Sequence, residues 1–503
     1  MSTASDQQQW PGPLSAAVAR MCTDLRPQLT EQTAARSDDV LRRLAAPLQV
    51  AVAGRIKSGK STLVNALIGR RVAPTDIGEC TRLVTRFQYG TVDRIEVVLT
   101  DGTTQSVPFA PDGGIPADLG IDLPEVSHLE AYLTNAVLRD LTVIDTPGLG
   151  SLDADASGRT EDLLSGIDPV SSSALAGAEA VLYVLTQGVR ADDRSTLAAF
   201  TAATGGSEAG PVNAIALLNK ADTVQPESVP GAGTDTWTAA SSLARQQARL
   251  LKPRVADVLP VIGLLAESAE TGGFTTADAE ALRELAGSDP ATRETLLLSA
   301  DLFTEWECDV GPEVRAGLLR RLDLHGVRCA LAAIDEDPQI TTGALRRAVR
   351  DASGLDEVQQ RLRSVLRTRL DGLKAAAALA SITALAESDG EQRCRVHDAI
   401  EALLARPEAH RLRVLEALTA VASGAVELPD DLTEEVLRMG GGDVREQLGL
   451  PDKGDQELAD YALERANWWR SFSSMGATPA QSRIAHVVHR AYFLIWQELG
   501  ARG

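Results

Sequence analysis

Aromatic residues are scarce in this chain, at 4 % of 503 positions. That scarcity, with Ala and Leu abundant from about residue 240 onward, disfavours a β-sandwich and favours helix in the second half. Cysteine is also sparse. Cys22, Cys80, Cys308, Cys329 and Cys394 are widely scattered, and no two have the spacing of a zinc site or redox motif. An odd, scattered set fits a reducing compartment, and a cytoplasmic location is the expectation. Positive charge is in deficit: 49 Lys and Arg face 70 Asp and Glu, for a net charge of −21. So acidic a chain repels nucleic-acid phosphates, and no nucleic-acid partner is expected. The polar start MSTASDQQQWPGP has no basic-then-apolar leader pattern. Long hydrophobic runs are missing too. AAAALASITALA from Ala375 is shorter than the roughly 20 residues a spanning helix needs. Any membrane contact is therefore expected to be peripheral.

The length implies two or three domains. Residues 14 to 46 carry apolar positions three to four apart, which predicts helix, and Pro47 ends the segment. From Leu48 to about Ile262, strand-length apolar runs recur: LQVAVAG, LTVIDTPG, AVLYVLT, NAIALLNK and VLPVIG. Several lead through a loop into a helical pattern, which predicts a mostly parallel sheet with helices on both faces. RIEVVLT and TTQSVPF flank Asp101-Gly102 and predict a hairpin. From about residue 275 the periodicity is helical, with breaks at Gly354, Pro407, Pro429, Gly440 to Gly442, Pro451 and Pro479. A last helix over about Ala480 to Leu499 presents a broad apolar face.

Four elements carry chemistry. GRIKSGKS (Gly54, Arg55, Ile56, Lys57, Ser58, Gly59, Lys60, Ser61) follows a buried-type strand and opens the helix beginning Ser61-Thr62. This is the P-loop context: backbone N–H groups and the helix N-terminus converge on phosphate oxygens. Lys60 reaches the β- and γ-phosphates, and Ser61 offers a hydroxyl to Mg²⁺. DTPG places Asp145 to hold Mg²⁺, usually through water, and Gly148 to sense the γ-phosphate, although the tetrapeptide alone is also a plain turn. NKAD places Asp222 to accept guanine N1–H and N2–H₂ bidentately, with Asn219 and the Lys220 stem supporting the loop and base. Adenine would leave that carboxylate unpaired, so the nucleotide is GTP. APTDIGECTRLVT offers Thr81, or alternatively Thr75, as a switch threonine capping Mg²⁺. A weaker fifth element is Ile262-Gly263, whose backbone N–H groups are expected at guanine O6.

Taken together, the sequence resembles a dynamin-family GTPase. Thr81 lies 21 residues after Lys60 and is followed by Arg82, like the switch Thr-Arg pair of that family. The hairpin before DTPG and the helix preceding the G domain also fit. APTDIGECTRLVT and the overall length look most like the short mycobacterial isoniazid-inducible dynamin-like proteins. SGLDEVQQRLRSVL, Ser353 to Leu366, resembles the final G-domain helix. The resemblance implies an α/β P-loop GTPase domain over 48–366 and a neck bundle drawn from both chain ends, 1–47 and 367–503. It also implies GTP hydrolysis with Mg²⁺, pairing of G domains, and work on a membrane surface, on the inner face of the plasma membrane.

One departure matters. Many dynamins carry Gln then Ser where this chain has Ile56 and Lys57. Ile56 cannot polarise water, and Lys57 brings a fixed positive charge to the place of a monovalent cation. Lys57 is then either an internal catalytic finger, by analogy with a related group of large GTPases, or a solvated side chain. Trp468, Trp469, Phe472 and Met475 likewise read either as bundle core or as an interfacial tip. Three functions follow: a mechanochemical GTPase, a regulatory GTPase acting on a protein partner such as a longer dynamin-like paralogue, and a translation-associated GTPase. The acidic charge argues against the third.

Overall fold

The structure is a computed structural model that describes residues 10–74, 83–147, 178–186, 188, 197, 214–230, 235–251, 255, 257–387, 390–422, 425–441, 443–475 and 477–500. Helices α1 (Pro13–Leu25) and α2 (Glu31–Ala45) precede a nine-stranded sheet. Its strands are β1 (Leu48–Gly54), β2 (Thr85–Tyr89), β3 (Arg94–Leu99), β4 (Thr104–Val107), β5 (Val126–Leu133), β6 (Leu141–Asp145), β7 (Ala180–Thr186), β8 (Ala214–Asn219) and β9 (Asp257–Val261). The spatial order is β4-β3-β5-β2-β6-β1-β7-β8-β9. Strands β6, β1, β7, β8 and β9 run parallel, and β2 is antiparallel to β6.

The five parallel runs are mostly apolar because both faces are covered, with polar residues such as Gln49, Thr142, Asp145 and Asn219 as exceptions. On one face Val50, Val52, Leu182, Val184 and Leu217 pack with Leu63 and Leu67 of α3 (Lys60–Ile68). On the other, Ala51, Ala53, Tyr183, Ala216 and Leu218 pack with Ala244 and Leu251 of α4 (Thr236–Leu251). The period of two assigns alternate residues of each strand to opposite cores. The expected hairpin is β3–β4, turning at Asp101-Gly102 with Gly102 at φ +85°.

After β9 the described elements are helical: α5 (Gly263–Glu270), α6 (Thr276–Ala286), α7 (Pro290–Leu296), α8 (Ala300–Glu305), α9 (Pro312–Glu336), α10 (Thr342–Ala352), α11 (Leu355–Glu387) and α12 (Gly390–Leu404). They are followed by α13 (His410–Ala422), α14 (Asp430–Arg438), α15 (Val444–Leu448), α16 (Asp455–Ser474) and α17 (Pro479–Gly500). The helical breaks expected at Gly354, Pro407, Pro429 and Pro479 all fall between or at the ends of these elements.

Helix α11 has 33 residues and serves two cores. Leu355, Val358 and Leu362 belong to the sheet core. Ala375, Ala378 and Ile382 pack with α1, α2 and α12. A division after Leu366 therefore cuts a continuous helix. The neck does combine both chain regions, as expected. Leu14 N–H and Ser15 N–H donate to the Asp371 carboxylate at 3.0 and 2.7 Å, so α11 caps the start of α1. Lys374 Nζ, fully buried, donates to Glu179 Oε1 and to Arg43 O at the end of α2, both at 2.9 Å. Glu179 also accepts the Gln49 N–H of β1 at 2.7 Å.

The closing helix differs from expectation. Helix α17 packs along α16 in a separate distal core with α13 to α15, not against α1 or α2. Its broad apolar face is covered by Leu458, Ala462 and Trp469 of α16. The aromatic cluster divides into a buried and an exposed part. Trp469 is fully buried and donates Nε1–H to Glu435 at 2.9 Å. Trp468 is 38 % exposed and Met475 79 %.

Candidate nucleotide site

The site forms at the C-terminal ends of β1, β6 and β8. Strand β1 is buried throughout and ends at Gly54, and α3 starts at Lys60. The turn between them needs unusual backbone. Gly59 caps α3 at φ +89°, and a Cβ there would collide with the Asn219 side-chain amide. Lys57 adopts φ +61°, a left-handed conformation that costs a non-glycine residue roughly 1 kcal/mol. Ile56 and Lys57 are exposed, Arg55 and Gly59 half-buried, and Ser58 buried.

Lys60 folds back over the loop, and Nζ donates to Arg55 O at 3.0 Å. Burial lowers its pKa, opposed by the nearby Asp145 carboxylate. The register pairs Val52 of β1 with Asp145, the last residue of β6, and so brings Asp145 beside the first turn of α3. There Ser61 Oγ donates to Asp145 Oδ2 at 2.9 Å. Burial pushes the Asp145 carboxyl up to about 6, against Lys60 and the Ser61 hydroxyl. Its Oδ1 is buried and unpartnered, as is Ser58 Oγ. Thr146 anchors the following turn by donating Oγ1–H to Val52 O at 2.9 Å.

An orphaned carboxylate oxygen beside a hydroxyl fits Mg²⁺, which takes few protein oxygens and fills its octahedron with water and phosphate. No cluster of three His, Cys, Asp or Glu able to hold a metal occurs among the described residues. A nucleotide-bound Mg²⁺ requires none.

Asn219, at the end of β8, joins the Gly54–Ser61 turn to the turn that opens α5. Its Nδ2 donates to Ser58 O at 2.7 Å, and its Oδ1 accepts Gly263 N–H at 2.9 Å. Lys220 follows at φ +58° and is exposed. Asp222 is half-buried; burial raises its pKa, and Asp323 adds to the rise.

The expectation for Ile262 and Gly263 is corrected. Ile262 N–H donates to Ser353 O at 2.8 Å, and Gly263 N–H is held by Asn219. Neither N–H is left for guanine O6. The next two N–H groups of α5, of Leu264 and Leu265, precede its first intrahelical bond, Ala266 N–H to Ile262 O. Thr62 is half-buried in the first turn of α3. Thr75, Thr81 and Gly148 lie outside the described residues.

Sequence reading missed two residues that shape the site. Asn65 accepts Val72 N–H and Ala73 N–H at 2.9 and 2.8 Å and donates to Glu267 at 2.7 Å, tying α3 to α5 and to the chain leaving it. A lone Asn on the apolar face of STLVNALI was the available signal. Ser353 carried none, because its partner Ile262 is remote in sequence.

A mostly parallel sheet with a phosphate loop after an interior strand, a Ser–Asp pair beside it and an Asn-Lys-x-Asp loop next to both define a P-loop nucleotide-binding protein. The chain belongs to the dynamin family, a family of GTPases: the dynamin family model matches residues 50–199, and the isoniazid-induced protein IniC of Mycobacterium tuberculosis is 34 % identical over 453 residues, 86 % of each chain. The isoniazid-induced protein IniA of the same organism is 31 % identical over 135 residues, 24 % of this chain and 20 % of IniA. A solved structure described as an oligomerised bacterial dynamin pair aligns with 99 % of this chain and 77 % of its own at TM-score 0.38 and 11 % identity.

Proposed function

We propose that this chain binds GTP with Mg²⁺, hydrolyses it, and couples the cycle to pairing of G domains on a membrane surface. The observation that carries the reading is the double hydrogen bond of Asn219, which fixes the base loop relative to the phosphate loop. With Asp222 beside it, that geometry favours guanine.

The protein groups divide the work. The P-loop N–H groups and Lys60 hold the phosphates. Lys60 exchanges its bond to Arg55 O for phosphate oxygens, and its buried position strengthens that contact. Ser61 and Asp145 would hold Mg²⁺, which neutralises charge on the β- and γ-phosphates. Lys57, exposed at the lip of the loop, acts as an internal finger on the developing charge. Thr81 orients the attacking water and Gly148 senses the γ-phosphate, by resemblance to the family. We read the GTPase domain as 48–366 and the helical parts as 1–47 and 367–503, with α11 shared between them.

Membrane contact is assigned to the end of the α16–α17 hairpin. Met475 and Trp468 are exposed there, Trp468 stacks on Phe472 with centroids 5.4 Å apart, and Arg470 and Arg483 are exposed nearby. Aromatics with adjacent arginines suit an anionic lipid surface. No helix among the described residues is long and apolar enough to cross a membrane. The deciding experiment measures GTP turnover against protein concentration, with and without anionic liposomes. Turnover rising with either supports the reading. Turnover indifferent to both favours a regulatory GTPase acting on a protein partner, and no hydrolysis under any condition removes the enzyme.

A further inference from the structure

Helix α9 is broken beside the loop that carries Asp222. At Asp323 the backbone turns to φ +53° and ψ 177°, inside a helix that otherwise runs from Pro312 to Glu336. Such a left-handed excursion is strained for a residue other than glycine and persists only where the surroundings hold it. They hold it here from both sides. Before the break, Arg321 O accepts Ser268 Oγ–H at 2.6 Å, and Leu322 is fully buried in one core with Ala221, Ile262 and Leu265. After the break, Gly326 lets the helix touch α5: a Cβ there would stand 2.3 Å from Leu265 Cδ2. Ala221 and Leu322 share that core, and their neighbours Asp222 and Asp323 come close enough for their charges to interact.

Asp323 is exposed and Asp222 half-buried. Asp323 Oδ1 accepts Leu324 N–H at 2.5 Å. A carboxylate has two accepting oxygens, so Oδ2 can serve a ligand. Burial raises the Asp222 pKa, and the negative charge of Asp323 raises it further, against His325 and Lys220. Two like charges repel, and a ligand that brings donors to both relieves that cost. Guanine carries three such donors along one edge: N1–H and the two N–H of its N2 amine. Asp222 accepts N1–H and the N2–H beside it. The second N2–H points to the N3 side of the base and is left without an acceptor.

We propose that Asp323 is a second base-reading residue, whose carboxylate accepts the guanine N2–H that Asp222 leaves free. The inference rests on the guanine reading of the site proposed above. The break in α9 is then the backbone strain that places a carboxylate at the base. Adenine and hypoxanthine have no N2 amine, so either leaves the charge of Asp323 facing Asp222 without a shared donor group.

The test titrates the full chain with GDP and with inosine diphosphate, which differ only in the N2 amine. The wild type is expected to prefer GDP. Asp323→Asn keeps the size of the side chain and removes its charge. Asp323→Gly removes the side chain and suits the left-handed backbone, so it is expected to fold. Both variants are expected to weaken GDP about tenfold, the low end for loss of one hydrogen bond to a charged group. Inosine diphosphate is expected to bind both as tightly as it binds wild type, or tighter, because the repulsion against Asp222 is gone. Equal weakening of the two nucleotides would mean that Asp323 only shapes the loop, and overturns the proposal. A wild-type preference retained in both variants overturns it too. A wild type that binds no guanine nucleotide, or binds GDP no better than inosine diphosphate, overturns the underlying reading of Asp222, and the inference with it.

Discussion

Asn219 Oδ1 accepts the Gly263 N–H at 2.9 Å while Asn219 Nδ2 donates to Ser58 O at 2.7 Å. One buried amide thus satisfies two backbone groups that belong to loops 205 residues apart in sequence (263 − 58). Asn219→Ala leaves both unpaired in a dry site, at a cost of about 2 kcal/mol or more. We expect a lowered melting temperature and at least a tenfold loss of GDP affinity by titration. Wild-type affinity in the variant would mean that the base and phosphate loops are positioned independently.

Asp145 is a strained asset. Its carboxylate is buried with one oxygen unpartnered. Asp145→Asn removes a desolvated charge while leaving an oxygen for Ser61, so the nucleotide-free protein is expected to melt at a higher temperature than wild type. Nucleotide affinity of the same variant becomes insensitive to Mg²⁺. A melting temperature below wild type would contradict the first half, and preserved Mg²⁺ dependence the second.

Lys57 can be dissected by two substitutions. Lys57→Gly relieves the left-handed backbone and removes the charge, whereas Lys57→Ala removes only the charge. Both are expected to slow single-turnover hydrolysis at least tenfold. That is less than the 10³ to 10⁵ of an arginine finger, because lysine is a point charge without the planar fork. Only Lys57→Gly keeps or raises thermal stability. Hydrolysis by wild type is expected without K⁺ or Na⁺. Unchanged single-turnover rates, or strong activation by either cation, would remove the finger.

Trp468 and Trp469 are sequence neighbours with opposite roles. The double variant Trp468→Ser/Met475→Ser changes exposed groups only and is expected to stay folded while losing sedimentation with anionic liposomes. Trp469→Ser empties a buried site and costs about 3–5 kcal/mol, so it reports folding rather than membrane contact. A double variant that sediments like wild type moves the contact elsewhere.

Glu435 gives the distal helices a pH dependence. Burial pushes its carboxyl up, but bonds from Arg465, Tyr492 and Trp469 together outweigh burial and hold it below its usual value. A depressed folded pKa contributes stability that is complete above the unfolded value, about 4.3. That stability is lost as pH falls through the folded value. Thermal melts from pH 7 to pH 3 should therefore show a steeper acid loss in wild type than in Glu435→Gln. At pH 7 Glu435→Gln is the less stable protein, because it leaves Arg465 in a half-buried site without its ion partner.

The sheet was legible in the sequence because strands buried on both faces are predominantly apolar, and LQVAVAG, AVLYVLT and NAIALLNK are. The phosphate loop was legible because its glycines, lysine and serine act from one short segment. The loop proposed to read the base was only half legible. Asn219, Lys220 and Asp222 are local, but whether Ile262 and Gly263 keep free N–H groups depends on Ser353 and Asn219, which are distant in sequence. Helix α17 was found but its partner was not, since an apolar face states that it must be buried and not against what.

Sequence alone thus determined membership of the dynamin family, because its signals reside in short segments with required residue types. Tertiary structure alone decided the course of α11 through two cores and the burial of Trp469 beside an exposed Trp468. It also decided the hydrogen bond of Ile262 N–H to Ser353 O, which seats the end of β9 on the Ser353-Gly354 turn. Those outcomes depend on contacts between residues far apart in the chain, and helical periodicity records a face without naming its neighbour.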